Sequence, residues 1–184
     1  MRLFVALSFS DGTKAKLDEY IKSLRPLARE FKWVKAKNLH LTLKFLGECN
    51  SAQRENIITT LRESLAETPI ISLQRTSPGC FPNIKKPRVF FLALKPDPLL
   101  ITCQSTIENA MSALGFETEN RPFRPHLTLA RIKDSFKAAP KMSGLFAQPY
   151  PSFTQTCDNI ELIQSQLTPA GAIYKTVQRF PLKK

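Results

Sequence analysis

The chain has two histidines, and each begins the same tetrapeptide: His40-Leu41-Thr42-Leu43 and His126-Leu127-Thr128-Leu129. In an extended strand alternate side chains share a face, so each copy turns a histidine and a threonine one way and two leucines the other. The leucines anchor the strand; the polar pair is displayed. The context repeats as well. Before the first copy, Leu3, Val5, Leu7 and Phe9 alternate as a strand with one buried face. A helix follows, capped by Ser10, with Leu17, Tyr20, Ile21 and Leu24 on one stripe and Pro26 near its stop. Before the second copy, residues 87–95 read as a buried strand. Asp97-Pro98 then opens a helix that carries Leu100, Cys103, Ile107, Met111 and Leu114 on one face and stops at Gly115. Strand, helix and motif strand, met twice, predict an α+β chain: one domain over residues 1–184, bilobal and duplicated, with two similar lobes around one cleft.

Between and after these units the pattern is less regular. Asn50 with Gln53 has the form of a capping box ahead of a helix faced by Ile57, Ile58, Leu61 and Leu65. A short strand is expected over 70–73. Residues 77–87, SPGCFPNIKKP, read as a long loop and a mid-chain junction. Pro140, Gly144 and Pro149 make 134–149 mainly loop, and two extended runs, around Cys157 to Ile163 and Ala172 to Phe180, complete the chain. Phe45 shares the parity of Leu41 and Leu43 and is assigned to the core. Trp33 and Phe123 stand open between core packing and stacking on a base.

A length of 184 residues suffices for one sizeable core, and 42% apolar with 23% charged residues excludes a disordered or low-complexity chain. The balance of 27 Lys+Arg against 15 Asp+Glu leaves +12, which attracts polyanions, nucleic acid first among them, unless it serves only solubility. Lys85, Lys86 and Arg88 could guide a nucleic-acid strand or form a solvated basic loop. Cys49, Cys80, Cys103 and Cys157 are scattered, with no C-x-x-C pair and no histidine at ligand spacing, so no metal site and no cofactor is expected. The opening MRLFVALSFS reads as a strand, not a signal peptide, and no run approaches the roughly 20 apolar residues of a membrane span. A cytoplasmic monomer with reduced thiols is the expectation.

The displayed pairs define the chemistry. If the two lobes converge, two imidazoles and two hydroxyls surround one pocket, a set suited to opening a cyclic phosphate. One imidazole takes a proton from water and the other gives one to the departing ribose oxygen; a side chain with an ordinary pKa near 6.5 can do either. Thr42 and Thr128 can donate to non-bridging oxygens, although threonine is also simply a good strand residue. Two other readings compete. A binding module without catalysis explains the charge but not the repeated motif, and a metal-dependent hydrolase needs ligands that are missing near the motifs.

These motifs, with the flanks MRLFVAL, WVKAKNLHLTLKFLG, RPFRPHLTLAR and the L-T-P-x-G-x-x-Y from Leu167 to Tyr174, resemble the 2H phosphoesterase superfamily. Within it they are most similar to the bacterial and archaeal RNA 2′,3′-cyclic phosphodiesterases, historically called 2′–5′ RNA ligases. The resemblance covers nearly the whole chain. It implies two antiparallel sheets forming a central cleft with helices outside, and hydrolysis of a 2′,3′-cyclic RNA end to a 2′-phosphate. It further implies His40 as proton donor, His126 as proton acceptor, Thr42 and Thr128 at phosphate-contacting positions, and 2′–5′ ligation as a related activity. The second motif of the family commonly ends in arginine, matched by Arg131. Strict alternation from His126 puts Arg131 on the opposite face, so a role there needs a bulge, a bend or the strand's end; a surface ion pair is the alternative. Lys35-Ala36-Lys37 stands where many relatives have a proline-containing loop.

Overall fold

The computed structural model describes every residue except Ala170. Strand β1 (Arg2–Ser8) leads into helix α1 (Asp11–Leu24), a short β2 (Lys32–Trp33), the first motif strand β3 (His40–Glu48) and helix α2 (Ser51–Ser64). Then come β4 (Ile71–Phe81), β5 (Val89–Leu94), α3 (Pro98–Ala113) and the second motif strand β6 (His126–Arg131). Short helices α4 (Ser135–Ala138) and α5 (Met142–Phe146) precede β7 (Thr154–Cys157), β8 (Asn159–Thr168) and β9 (Gly171–Pro181). The helix starts follow the side chains that cap them. Ser10 accepts from Thr13 N, Asn50 and Gln53 complete a reciprocal capping box, and Asp97 accepts from Leu99 N ahead of Pro98.

Two antiparallel sheets result, in the orders β3-β1-β8-β9 and β2-β6-β5-β4-β7. One face of each joins a common apolar core. Leu3, Val5 and Leu7 from β1 and Phe90 and Leu92 from β5 pack with Leu17 and Ile21 of α1, Ile57 and Leu61 of α2, and Leu100 and Ile107 of α3. Burying each such side chain contributes about 1.5–3 kcal/mol, enough to hold the sheets by their helix-covered faces. The motif faces are left on the other side. There Phe4, Ala6 and Ile163 make a small separate cluster with Tyr174.

Three expectations need correction. Residues 77–81 belong to β4, so the loop before β5 is confined to 82–88. Pro78 is tolerated beside an irregularity in the β4–β5 ladder, and Gly79 is required: a Cβ there would lie 2.6 Å from the Phe91 ring. The stretch 134–149 is not mainly loop, because Asp134 accepts from Phe136 N and Lys137 N and nucleates short helical turns that bury Ala138, Met142 and Leu145. Leu114 leaves the apolar stripe of α3 and is 37% exposed, since the helix ends one residue earlier. All four cysteines are free, with Cys103 and Cys157 pushed up to about 12 by burial. Among the described residues no helix is long and apolar enough to cross a membrane, and no group of three or more His, Cys, Asp or Glu is placed to hold a metal.

Candidate active site

Both motif strands carry a β-bulge immediately after their threonine. On β3, Thr42 is opposite Ala6 and Lys44 is opposite Val5, so Leu43 is the extra residue. On β6, Thr128 is opposite Phe91 and Ala130 is opposite Phe90, so Leu129 is extra. A bulge puts two successive residues on one side and resets the alternation beyond them. Leu43 and Lys44 are accordingly both buried, as are Leu129 and Ala130. Residues 45 and 131 therefore return to the histidine face. Phe45 is thus not a core residue; it is 68% exposed and tilts against Phe4 at 6.1 Å between ring centroids. The same shift supplies the irregularity that Arg131 needs.

Lys44 occupies the core position in place of Phe45. Its Nζ donates to Glu108 Oε1 (2.5 Å) and to Glu117 O (2.6 Å), and Glu108 Oε1 also accepts from Glu119 N (2.9 Å). This buried pair joins the first motif strand to α3 and to the segment that enters the second motif. Removing one partner of such a pair strands the other charge in the core, which is where its structural weight lies.

Each imidazole is fixed through its own main chain two residues upstream. His40 Nδ1 is 2.7 Å from Asn38 O, and His126 Nδ1 is 2.8 Å from Arg124 O. A carbonyl only accepts, so Nδ1 carries the hydrogen in both rings and Nε2 is the basic atom of each neutral imidazole. Thr42 Oγ1 lies 3.0 Å from His40 Nε2 and donates to it in that state. Aromatic rings pack beside the histidines. Phe4 and Tyr174 stand 4.8 and 5.3 Å from His40, and Phe81 and Phe91 stand 5.0 and 5.3 Å from His126. Burial lowers His40 to about 4, against the pull of the Asn38 carbonyl and helped by the charges of Arg131, Lys14 and His126. Burial also lowers His126, again with Arg131 contributing.

Strands β3 and β6 approach each other directly, and the Arg131 charge on the second sheet reaches His40 and Tyr174 of the first as well as His126, so the two motif faces look onto one space. Thr42 and Thr128 are partly buried on the same faces as their histidines, and Arg131 makes no ion pair among the described residues. Trp33 lies elsewhere: its indole donates to Ala28 O and its ring packs on Phe31 and Phe90. Phe123 packs against the core, partly buried. Lys85 and Lys86 sit on an exposed turn held by Asn83, soon after Phe81. Tyr174 was visible in the last motif, with no sign that it stands beside His40. Ala170, the variable position of that motif, lies outside the described residues.

Two antiparallel sheets that each present a His-x-Thr strand to a shared cleft define the two-histidine phosphoesterase class. The chain belongs to the 2′-5′ RNA ligase superfamily, whose family model matches residues 13–168. It is 30% identical to a protein of Thermotoga maritima named RNA 2′,3′-cyclic phosphodiesterase, over 96% of this chain and 93% of that one. A protein of Archaeoglobus fulgidus with the same name is 32% identical over 98% of this chain and 99% of its own length. Among solved structures, E. coli LigT complexed with 3′-AMP superposes with a TM-score of 0.82 at 25% identity, covering 100% of this chain and 98% of LigT.

Proposed function

We propose that the protein hydrolyses 2′,3′-cyclic phosphate ends of RNA to 2′-phosphates by two-histidine general acid–base catalysis, as a cytoplasmic monomer built from two related halves. One observation carries the reading. The two imidazoles, each oriented by a carbonyl at Nδ1, share a space with the unpaired Arg131 guanidinium. In this scheme His126 Nε2 takes a proton from water as its oxygen attacks phosphorus, and the bond from phosphorus to O3′ breaks. His40 Nε2 gives its proton to O3′, leaving a 2′-phosphomonoester and a free 3′-hydroxyl. Thr42, Thr128 and Arg131 stabilise the non-bridging oxygens as charge gathers there.

The two bulges give a physical basis for dividing these roles. On the His40 side the bulge exposes a flat apolar ring, Phe45, on which a terminal base can stack; on the His126 side it exposes a guanidinium suited to the phosphoryl oxygens. The ribose then lies next to His40, so the departing ribose oxygen is the atom within its reach. His40 is neutral in the empty cleft at neutral pH, and the arriving anion raises its pKa toward the protonated form that an acid requires. The lysine and arginine surplus favours RNA as the carrier of that end.

Ligation through a 2′–5′ linkage is the same ring opening with a ribose 5′-hydroxyl in place of water: its oxygen bonds to phosphorus as the bond to O3′ breaks, and the same assay reads it as a longer product. The test is turnover of a short RNA with a 2′,3′-cyclic end in the presence of chelator. The expected result is an undiminished rate and a 2′-phosphate product. Binding without turnover would place the protein among non-catalytic RNA-binding modules, and loss of activity restored by one metal would favour a metal-dependent hydrolase.

A further inference from the structure

A polar pocket of about 570 Å³ opens on the cleft face of the first sheet, within the size range of small-molecule sites. His40 and Tyr174 line it, whereas Thr42 and Phe45 do not. It therefore continues the reaction site past the start of β3, away from Phe45. Glu161 lies in it, only 6% exposed, accepting from Ser8 Oγ (2.5 Å) and Arg179 Nε (2.8 Å). The proposed chemistry gives this buried carboxylate no part. Lys14 and Lys37 also line the pocket, and neither makes an ion pair among the described residues. Lys14 shares the pocket lining with His40 and Glu161, and its charge reaches both.

The connectivity of ribose says what belongs there. The base hangs from C1′, the departing oxygen from C3′, and the 5′ chain from C4′, on the far side of C3′ from the base. With O3′ at His40 and the base toward Phe45, the 5′ chain points past His40 into this pocket. We propose that the pocket is the subsite for the nucleotide preceding the cyclic end. Lys14 and Lys37 bind the phosphodiester that joins the two nucleotides, and Glu161 accepts a hydrogen bond from a donor on the preceding nucleoside. This deepens the cyclic phosphodiesterase reading and rests on it.

The test compares a nucleoside 2′,3′-cyclic phosphate with a dinucleotide carrying the same cyclic end. The intact enzyme is expected to show a kcat/KM about tenfold higher on the dinucleotide, the worth of one charge-assisted hydrogen bond, and this advantage should shrink with added salt. Lys37→Ala is the cleaner variant, because its charge is not among those acting on His40. It should lose several-fold on the dinucleotide and nothing on the mononucleotide; Lys14→Ala should also lose the preference for the dinucleotide, with a shifted pH profile on both substrates because its charge acts on His40. Equal turnover of the two substrates by the intact enzyme, or lysine variants that fall equally on both, would overturn the subsite while leaving the activity in place. Turnover of neither substrate would instead sink the activity. Equilibrium binding then decides the subsite: tighter binding of the dinucleotide that Lys37→Ala abolishes supports it, and equal binding refutes it.

Discussion

Strands β3 and β6 have the same start, the same threonine and the same bulge, yet they diverge at the two residues the bulge affects. Lys44 and Phe45 in the first stand where Ala130 and Arg131 stand in the second. The inward position holds a buried ammonium in one half and a methyl group in the other. The cleft position holds an apolar ring in one and a guanidinium in the other. Repetition of the motif gives two interchangeable histidines, and the residues after the bulge end that equivalence. One side of the cleft suits a base and its sugar, the other a phosphoryl group. Both imidazoles are held in the same way, so the proposed division of labour between His40 and His126 rests on their neighbours.

The comparison breaks most visibly at the histidines themselves. His40→Ala and His126→Ala are each expected to lower turnover by about 10² to 10⁴, the usual worth of a general acid or base, with far-ultraviolet circular dichroism unchanged because both rings sit in the cleft. A folded variant with near-normal rate would remove the mechanism. Arg131→Ala comes next. Loss of a charged donor to the developing oxyanion should cost about 10² to 10³, mostly in kcat. Phe45→Ala should cost about tenfold or somewhat more, mostly in KM, because stacking on a base is worth about 1–3 kcal/mol and acts on bound substrate and transition state alike. Effects exchanged between these two positions would reverse the division of the cleft.

A smaller and subtler effect lies in pH. The free enzyme must have His126 neutral and His40 protonated, while burial lowers both, His40 to about 4. That state is most populated between the two values and falls below the lower and above the higher, so the profile of kcat/KM should be a bell with its maximum on the acid side of 6.5. Bound phosphate raises His40, so the alkaline limb of kcat should lie at higher pH than that of kcat/KM. Coincident alkaline limbs would show that substrate does not restore the proton.

Much of this was legible in the sequence because it is local. Ser10, Asn50 with Gln53 and Asp97-Pro98 announce helix starts through side chains that reach only two or three residues, and the apolar stripes of α1 and α3 follow a fixed period. His40 and His126 were visible as a repeated pattern on strands. The bulges were not, since Leu43 and Leu129 look like any strand leucine and only the partner strand reveals that two residues face one. Phe45 was misplaced for that reason, and Arg131 could be put on the histidine face only on condition of a bulge, a bend or the strand's end, since parity alone points it the other way. The run through Ser77, Pro78 and Gly79 looked like loop because its strand character depends on the Phe91 ring lying over Gly79, a contact between strands. Tyr174 meets His40 across the first sheet, through β8 and β1, and nothing within its own motif encodes that neighbour.

The assignment of His40 as acid and His126 as base is tested most directly by replacing the bridging 3′ oxygen of the cyclic end with sulfur. A thiolate leaves without needing a proton, so the acid becomes dispensable while the base does not. On this substrate His40→Ala should recover much of its lost rate and His126→Ala should recover little, with the 2′-phosphate still the product from the ordinary substrate. Rescue of His126→Ala in place of His40→Ala, or formation of a 3′-phosphate, would contradict the account.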